Sequence, residues 1–206
     1  VYLLYKKMGV SLDPAAAMAL YIGILTDTGS FRFSNTSAFT HAVTAELLGY
    51  GIDVPRVYTE IYGSIPLDDL KLFIAILPGM KVALKGKIVW FALPQKMLRH
   101  RKKMCFDLSE ALLSFARTLK GIEVAVLFRE NIAEKNEIRV NFRSQGTIDV
   151  NKIAHVCGGG GHKNASGATV RGRTLEQVSR MVLSRLKSEF KAVPGSAHAH
   201  RTSQAV

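Results

Sequence analysis

Apolar positions recur at helical spacing through the first part of the chain, then give way to alternating or unbroken apolar runs of strand length. Asp13-Pro14 marks a helix start, because an Asp side chain accepts from first-turn amides and Pro suits the first helical position. That helix is predicted to run to about Ile22 or Leu25, where Thr26-Asp27-Thr28-Gly29-Ser30 breaks it. Ser34-Asn35-Thr36-Ser37 precedes a second helix, Ala38 to Tyr50, with Gly51 as terminator. Asp53-Val54-Pro55 opens a third helix to about Tyr62, and Pro66 to Leu77 forms a fourth, ended by Pro78-Gly79.

The texture changes after Gly79. Lys81–Leu84 and Lys87–Leu93 flank Lys85-Gly86 as a β-hairpin. Asp107 caps a helix to Leu119, and strands are predicted over Ile122–Arg129 and Glu137–Ser144. The second strand alternates Ile138, Val140 and Phe142. A short helix from Asp149 to Val156 leads into four glycines, Gly158 to Gly161, then a strand near Ala165–Val170. A last helix from Thr174 to Phe190 starts with Thr174 and Gln177 as a capping box. The tail, Val193–Val206, is small, polar and expected to be disordered.

Charge divides the chain along the same line. Of a formal net charge of +12, residues 1–78 carry −2 and residues 79–206 carry +14. A strongly basic second part points to an anionic partner. No stretch reaches the roughly 18 consecutive apolar residues of a membrane span. Two cysteines, Cys105 and Cys157, make no disulfide framework, so a cytoplasmic setting is expected.

Four clusters carry candidate chemistry. Asp27, at the end of an apolar segment and before a small-residue turn, either points a carboxylate at a hard cation or simply orders the turn. The run Cys157-Gly158-Gly159-Gly160-Gly161-His162-Lys163 either offers backbone amides to an anion or is a flexible linker. It is not a phosphate loop of nucleotide triphosphatases, which needs Gly-Lys followed by Ser or Thr. Arg143-Ser144-Gln145-Gly146 ends a strand with a side chain suited to bidentate phosphate contact. Lys96 to Lys103 holds five basic residues among eight, as a solvated face or a nucleic-acid contact.

Taken together, Ala19–Thr36, Glu123–Glu130, Phe142–Gly146 and Gly158–Ala168 resemble the DHH family of phosphoesterases, in particular its bacterial nanoRNase and pAp-phosphatase branch. The likeness covers about residues 1–192. It implies an α/β fold: the C-terminal part of a Rossmann-like, here helix-rich, DHH domain over 1–65, a linker helix over 66–80, and a DHH-associated α/β domain with a mixed sheet over 81–192. It implies a pair of Mn²⁺ ions with Asp27 as one ligand. Arg143, Ser144, Gly158, Gly159, Gly160, Gly161 and His162 would hold the substrate, either short RNA oligonucleotides or pAp.

The departures are specific. The Asp-His-His signature and the earlier Asp-x-Asp-type ligand segment are absent, and one carboxylate cannot hold two divalent cations. The resemblance therefore implies a phosphoesterase parent, of which this chain alone, read as a fragment, is expected to be inactive or nearly so. Cys157 stands where the family often has an aromatic residue, and the basic run 96–103 is unusual there. A homodimer is compatible with the family. Rival readings are a non-catalytic RNA-binding module of a larger enzyme, a RecJ-type single-strand exonuclease and a cyclic-dinucleotide phosphodiesterase.

Overall fold

The computed structural model describes residues 1–63, 65–98 and 107–192. Most of the basic run Lys96–Lys103 and the tail from Val193 lie outside them. The chain divides into two compact units, Val1–Ser64 and Ile65 onward.

The first unit is helical: α1 (Tyr2–Met8), α2 (Pro14–Asp27), α3 (Ala38–Leu48) and α4 (Val54–Tyr58), the last continuing into one π-turn over Thr59–Gly63. Local chemistry sets these starts. The Asp13 carboxylate accepts from the Ala16 amide at 2.7 Å, and Ser37 with Thr40 forms a reciprocal capping box. Ala17, Tyr21 and Leu25 of α2 pack on Val43 and Leu47 of α3, with Val57 closing the cluster. The Glu46 carboxylate on α3 accepts from Tyr2 and pairs with Lys6, both on α1.

The second unit is built on a six-stranded mixed sheet of order β1-β2-β3-β4-β6-β5. Its strands are β1 (Lys81–Ala83), β2 (Ile88–Leu93), β3 (Val124–Glu130), β4 (Glu137–Ser144), β5 (Gly160–His162) and β6 (Ala165–Arg171). The helices are α5 (Leu67–Ile76), α6 (Leu108–Arg117), α7 (Val150–Val156) and α8 (Leu175–Ala192). β2 and β3 pair in parallel with α6 between them, and every other neighbouring pair is antiparallel. Among the described residues no helix is long and apolar enough to cross a membrane.

Strand alternation sends side chains to two different cores. Val124, Val126 and Phe128 of β3 with Ile138, Val140 and Phe142 of β4 pack under α7 and α8. On the other face, Val89, Phe91 and Leu93 of β2 with Ala125 and Leu127 of β3 pack against α5 and α6. That second layer stops at β3. Across β4 and β6 the same face carries Arg139, Asn141, Arg143, Thr169 and Arg171, none of which joins a core cluster.

The division at 64/65 places α5 with the sheet, whereas the compositional change falls at Gly79. Leu72 and Ile76 of α5 are buried against the β2–β3 face, so packing assigns that helix to the second unit. Gly160–His162, to which the sequence pattern assigns no element, is the edge strand β5, paired with Ala165–Gly167. A three-residue strand with two glycines has no alternation to betray it; it exists through its pairing with β6.

Candidate functional site

Register aligns the sequence-derived candidates of the second unit. Arg143 on β4 lies opposite Ala165 on β6, and Ala165 lies opposite His162 on β5. Residues opposite one another in adjacent strands share a face, so Arg143 and His162 sit in one cross-strand row on the face that α6 leaves open. Two further rows run parallel to it: Asn141–Gly167–Gly160, and Arg129–Arg139–Thr169. A groove of about 700 Å³ opens along this face, lined among others by Arg129, Arg139, Asn141, Gly158, Gly159 and Thr169.

Arg143 is held rather than free. One terminal nitrogen donates to Glu110 Oε2 at 2.6 Å and the other to its own strand's Phe142 carbonyl at 2.9 Å. Glu110 is itself fixed on α6, accepting from Ser114 Oγ at 3.0 Å. A guanidinium has five N–H donors in a rigid fork, so two bonds orient it and leave the remaining donors for an anion.

The turn that carries His162 is pinned from β4 and α7. The Ser144 amide donates to the Asn164 carbonyl, the Ser144 hydroxyl donates to Asn164 Oδ1 at 3.2 Å, and the Val150 amide donates to the Lys163 carbonyl. Ser144 is buried on the opposite face from Arg143, so its bonds fix the turn. His162 itself is exposed.

The four glycines divide by physical role. Gly158, at φ 73°, ends α7: its amide donates to the His155 carbonyl and the Gly159 amide to the Ala154 carbonyl, the pattern of a Schellman cap. The expectation that the glycine amides form an anion concavity therefore fails at these two positions, because both N–H groups are already used. Gly159 is demanded by packing, since a Cβ there would sit 2.1 Å from the Gly167 carbonyl oxygen. The loop contributes shape to the groove rather than donors. Against it lie two buried side-chain oxygens without hydrogen-bond partners among the described residues, Asn151 Oδ1 and Ser166 Oγ.

In the first unit, Asp27 is the last residue of α2 and is exposed. Its carboxylate and its carbonyl both accept from Asn35 Nδ2, at 3.1 and 3.2 Å. The intervening turn is strained: Gly29, Ser30 and Phe31 are consecutively left-handed, at φ 55°, 58° and 64°. Thr28 Oγ1 donates to the Ile24 carbonyl and accepts from the Phe31 amide, and Phe31 stacks on His41 at 5.0 Å. Among the described residues no three His, Cys, Asp or Glu side chains stand together to hold an ion. One carboxylate does not make a two-metal donor set, so these residues alone do not fit such a centre.

Sequence reasoning missed Glu110, Arg129, Arg139 and Asn141. The alternation of β4 already put Arg139, Asn141 and Arg143 on one side, which was the available signal. The pairing of Arg129 with Arg139, and of Glu110 with Arg143, depends on tertiary register.

Known proteins resemble this chain over most of its length. Residues 106–191 match the DHHA1 domain. A bifunctional oligoribonuclease and PAP phosphatase NrnA from Thermus thermophilus is 32% identical over 187 residues, covering 91% of this chain and 55% of the relative. Its namesake from Bacillus subtilis is 33% identical over 172 residues, covering 82% and 52%. The crystal structure of an exopolyphosphatase-related protein from Bacteroides fragilis superposes with a TM-score of 0.76 at 26% identity, covering 87% of this chain and 52% of that one. The chain spans about half the length of the curated relatives it matches.

Proposed function

The chain belongs to the DHH family, residues 106–191 of its second unit matching the DHHA1 domain, and from that membership we propose that it serves a phosphoesterase acting on short oligoribonucleotides and pAp. The products would be nucleoside monophosphates and AMP. The observation that carries the reading is the cross-strand row that puts Arg143 and His162 on one open, basic sheet face.

In this reading the face binds and orients the substrate. Arg143, pre-set by Glu110 and the Phe142 carbonyl, offers its remaining donors to a phosphate. His162 adds a ring donor two strands away, and the Ser144–Asn164 bonds keep its turn in place. Gly158 and Gly159 keep the groove wall low enough for a sugar or base to approach. Removing Arg143 or His162 is expected to weaken capture, raising KM or Kd.

Asp27 is proposed as one ligand of a Mn²⁺ pair, which when bound would supply an activated water for attack at phosphorus. The described residues do not complete that site, so the 206-residue chain alone is expected to turn over little or no substrate. The test is a Mn²⁺-dependent phosphodiesterase assay on the purified chain. Background-level hydrolysis is expected; robust turnover abolished by Asp27→Ala would overturn this part. The same missing donor set favours a second reading, in which the basic face binds RNA without catalysis. Binding of 5′-phosphorylated RNA by a whole protein that hydrolyses none would establish it.

A further inference from the structure

On the same sheet face as the Arg143 row, two registers further along β4, the groove is lined by a pair of arginines that the fold does not use. Arg129 and Arg139 are direct cross-strand neighbours on β3 and β4. Like charges placed opposite one another in a sheet cost stability. Nearby carboxylates are committed elsewhere. Glu137 takes Arg171 Nε at 2.8 Å and Asn131 Nδ2 at 2.6 Å; Glu110 takes Arg143 and Ser114. Asp107, on the groove lip, accepts from the first amides of α6. Among the described residues neither the Arg129 nor the Arg139 side chain has a hydrogen bond or ion pair, and both line the groove.

We propose that Arg129 and Arg139 form a second phosphate subsite, which takes an internal phosphodiester of a single-stranded oligonucleotide whose other phosphate is held at Arg143 and His162. The inference rests on the reading of that first row as a phosphate site. Arg139 and Arg143 are four residues apart on one strand, about 13 Å at strand rise, and the Arg143 guanidinium is tied to Glu110 and the Phe142 carbonyl, so in these positions the two rows meet different phosphates. A ligand that uses both rows needs more than one nucleotide, and the pair therefore selects a short chain over a mononucleotide. Asn141, between the two rows and also in the groove lining, is placed to meet the intervening sugar or base.

The test is isothermal titration of the full chain in EDTA with two probes, 5′-AMP and 5′-phosphorylated triadenylate. The wild type is expected to bind the trinucleotide at least tenfold more tightly than 5′-AMP. The double variant Arg129→Gln/Arg139→Gln should lose at least tenfold on the trinucleotide and less than threefold on 5′-AMP. Its log–log salt slope should fall by about 0.7, the loss of one neutralised phosphate on a single strand. Thermal unfolding of the same variant should be unchanged or raised, since a like-charge pair has been removed. Full retention of trinucleotide affinity overturns the subsite, as does an equal loss on both probes. If Arg143→Ala leaves 5′-AMP binding intact while the double variant still loses the trinucleotide, the first-row reading fails and the subsite stands. Failure of the wild type to bind either probe overturns both.

Discussion

Gly158, Gly159 and Gly160 are consecutive, yet alanine at each should have a different consequence. At Gly159 the new Cβ would meet the Gly167 carbonyl oxygen at 2.1 Å and Ala168 Cα at 2.6 Å. Both are backbone atoms of β6, which is hydrogen-bonded to β4, so neither can turn aside as a side chain would. Overpacking of this kind costs about 3 kcal/mol, the upper part of the usual range. For a unit of this size that lowers Tm by roughly 10 °C. At Gly158 nothing lies within 4 Å, but φ is 73°, so alanine pays only the left-handed penalty of about 1 kcal/mol. At Gly160 the nearest atom is His155 Cε1 at 3.6 Å and φ is not left-handed, so alanine should be neutral or stabilise by about 0.5 kcal/mol. The assay is thermal unfolding followed by Trp90 fluorescence. Trp90 is the sole tryptophan, lies on β2 and packs edge-on against Phe128, so it reports the second unit. Gly159→Ala unfolding at the wild-type temperature, or Gly160→Ala proving the most damaging of the three, would refute the packing argument.

Other perturbations have equally definite outcomes. Arg143→Lys keeps the charge but loses the fork that bonds Glu110 and Phe142 together; titration with pAp should show about tenfold weaker binding, and wild-type affinity would count against the oriented guanidinium. Burial pushes the Cys157 thiol up, outweighing the opposing pull of the Arg173 charge. Less thiolate is then present at neutral pH than for a free cysteine, so iodoacetamide should label Cys157 slowly at pH 7.5 in a Cys105→Ser variant. Its rate should climb only above the ordinary thiol range; a plateau already reached at neutral pH would contradict this. Mn²⁺ titration of the chain should show millimolar binding at best, because among the described residues Asp27 belongs to no group of three His, Cys, Asp or Glu side chains; a micromolar site lost in Asp27→Ala would contradict it.

Features written in adjacent residues were legible from sequence. Asp13, Asp107 and Asp149 cap helices because each side chain reaches amides two or three positions on, and Thr174 with Gln177 closes its box in the same way. The alternation Ile138, Val140, Phe142 marks a buried strand face because its period is local. What escaped depends on partners far away in the chain. β5 is a strand through β6, α5 joins the sheet through Leu72 and Ile76, and Glu110 finds Arg143 across 33 residues. The glycine run shows the limit most clearly. Its composition suggested free amides for an anion, whereas two of those amides close α7 and Gly159 exists to let β6 pass.

The central claim is that a phosphate-bearing ligand sits on the open face of β4, β6 and β5. Amide chemical-shift mapping of the isotope-labelled chain with 5′-phosphorylated diadenylate in EDTA tests it most directly. Perturbations should concentrate at Arg143, Asn141 and Gly158 to His162, and vanish in Arg143→Ala/His162→Ala. Perturbations confined to the exposed sides of α7 and α8, or none at millimolar ligand, would contradict the account.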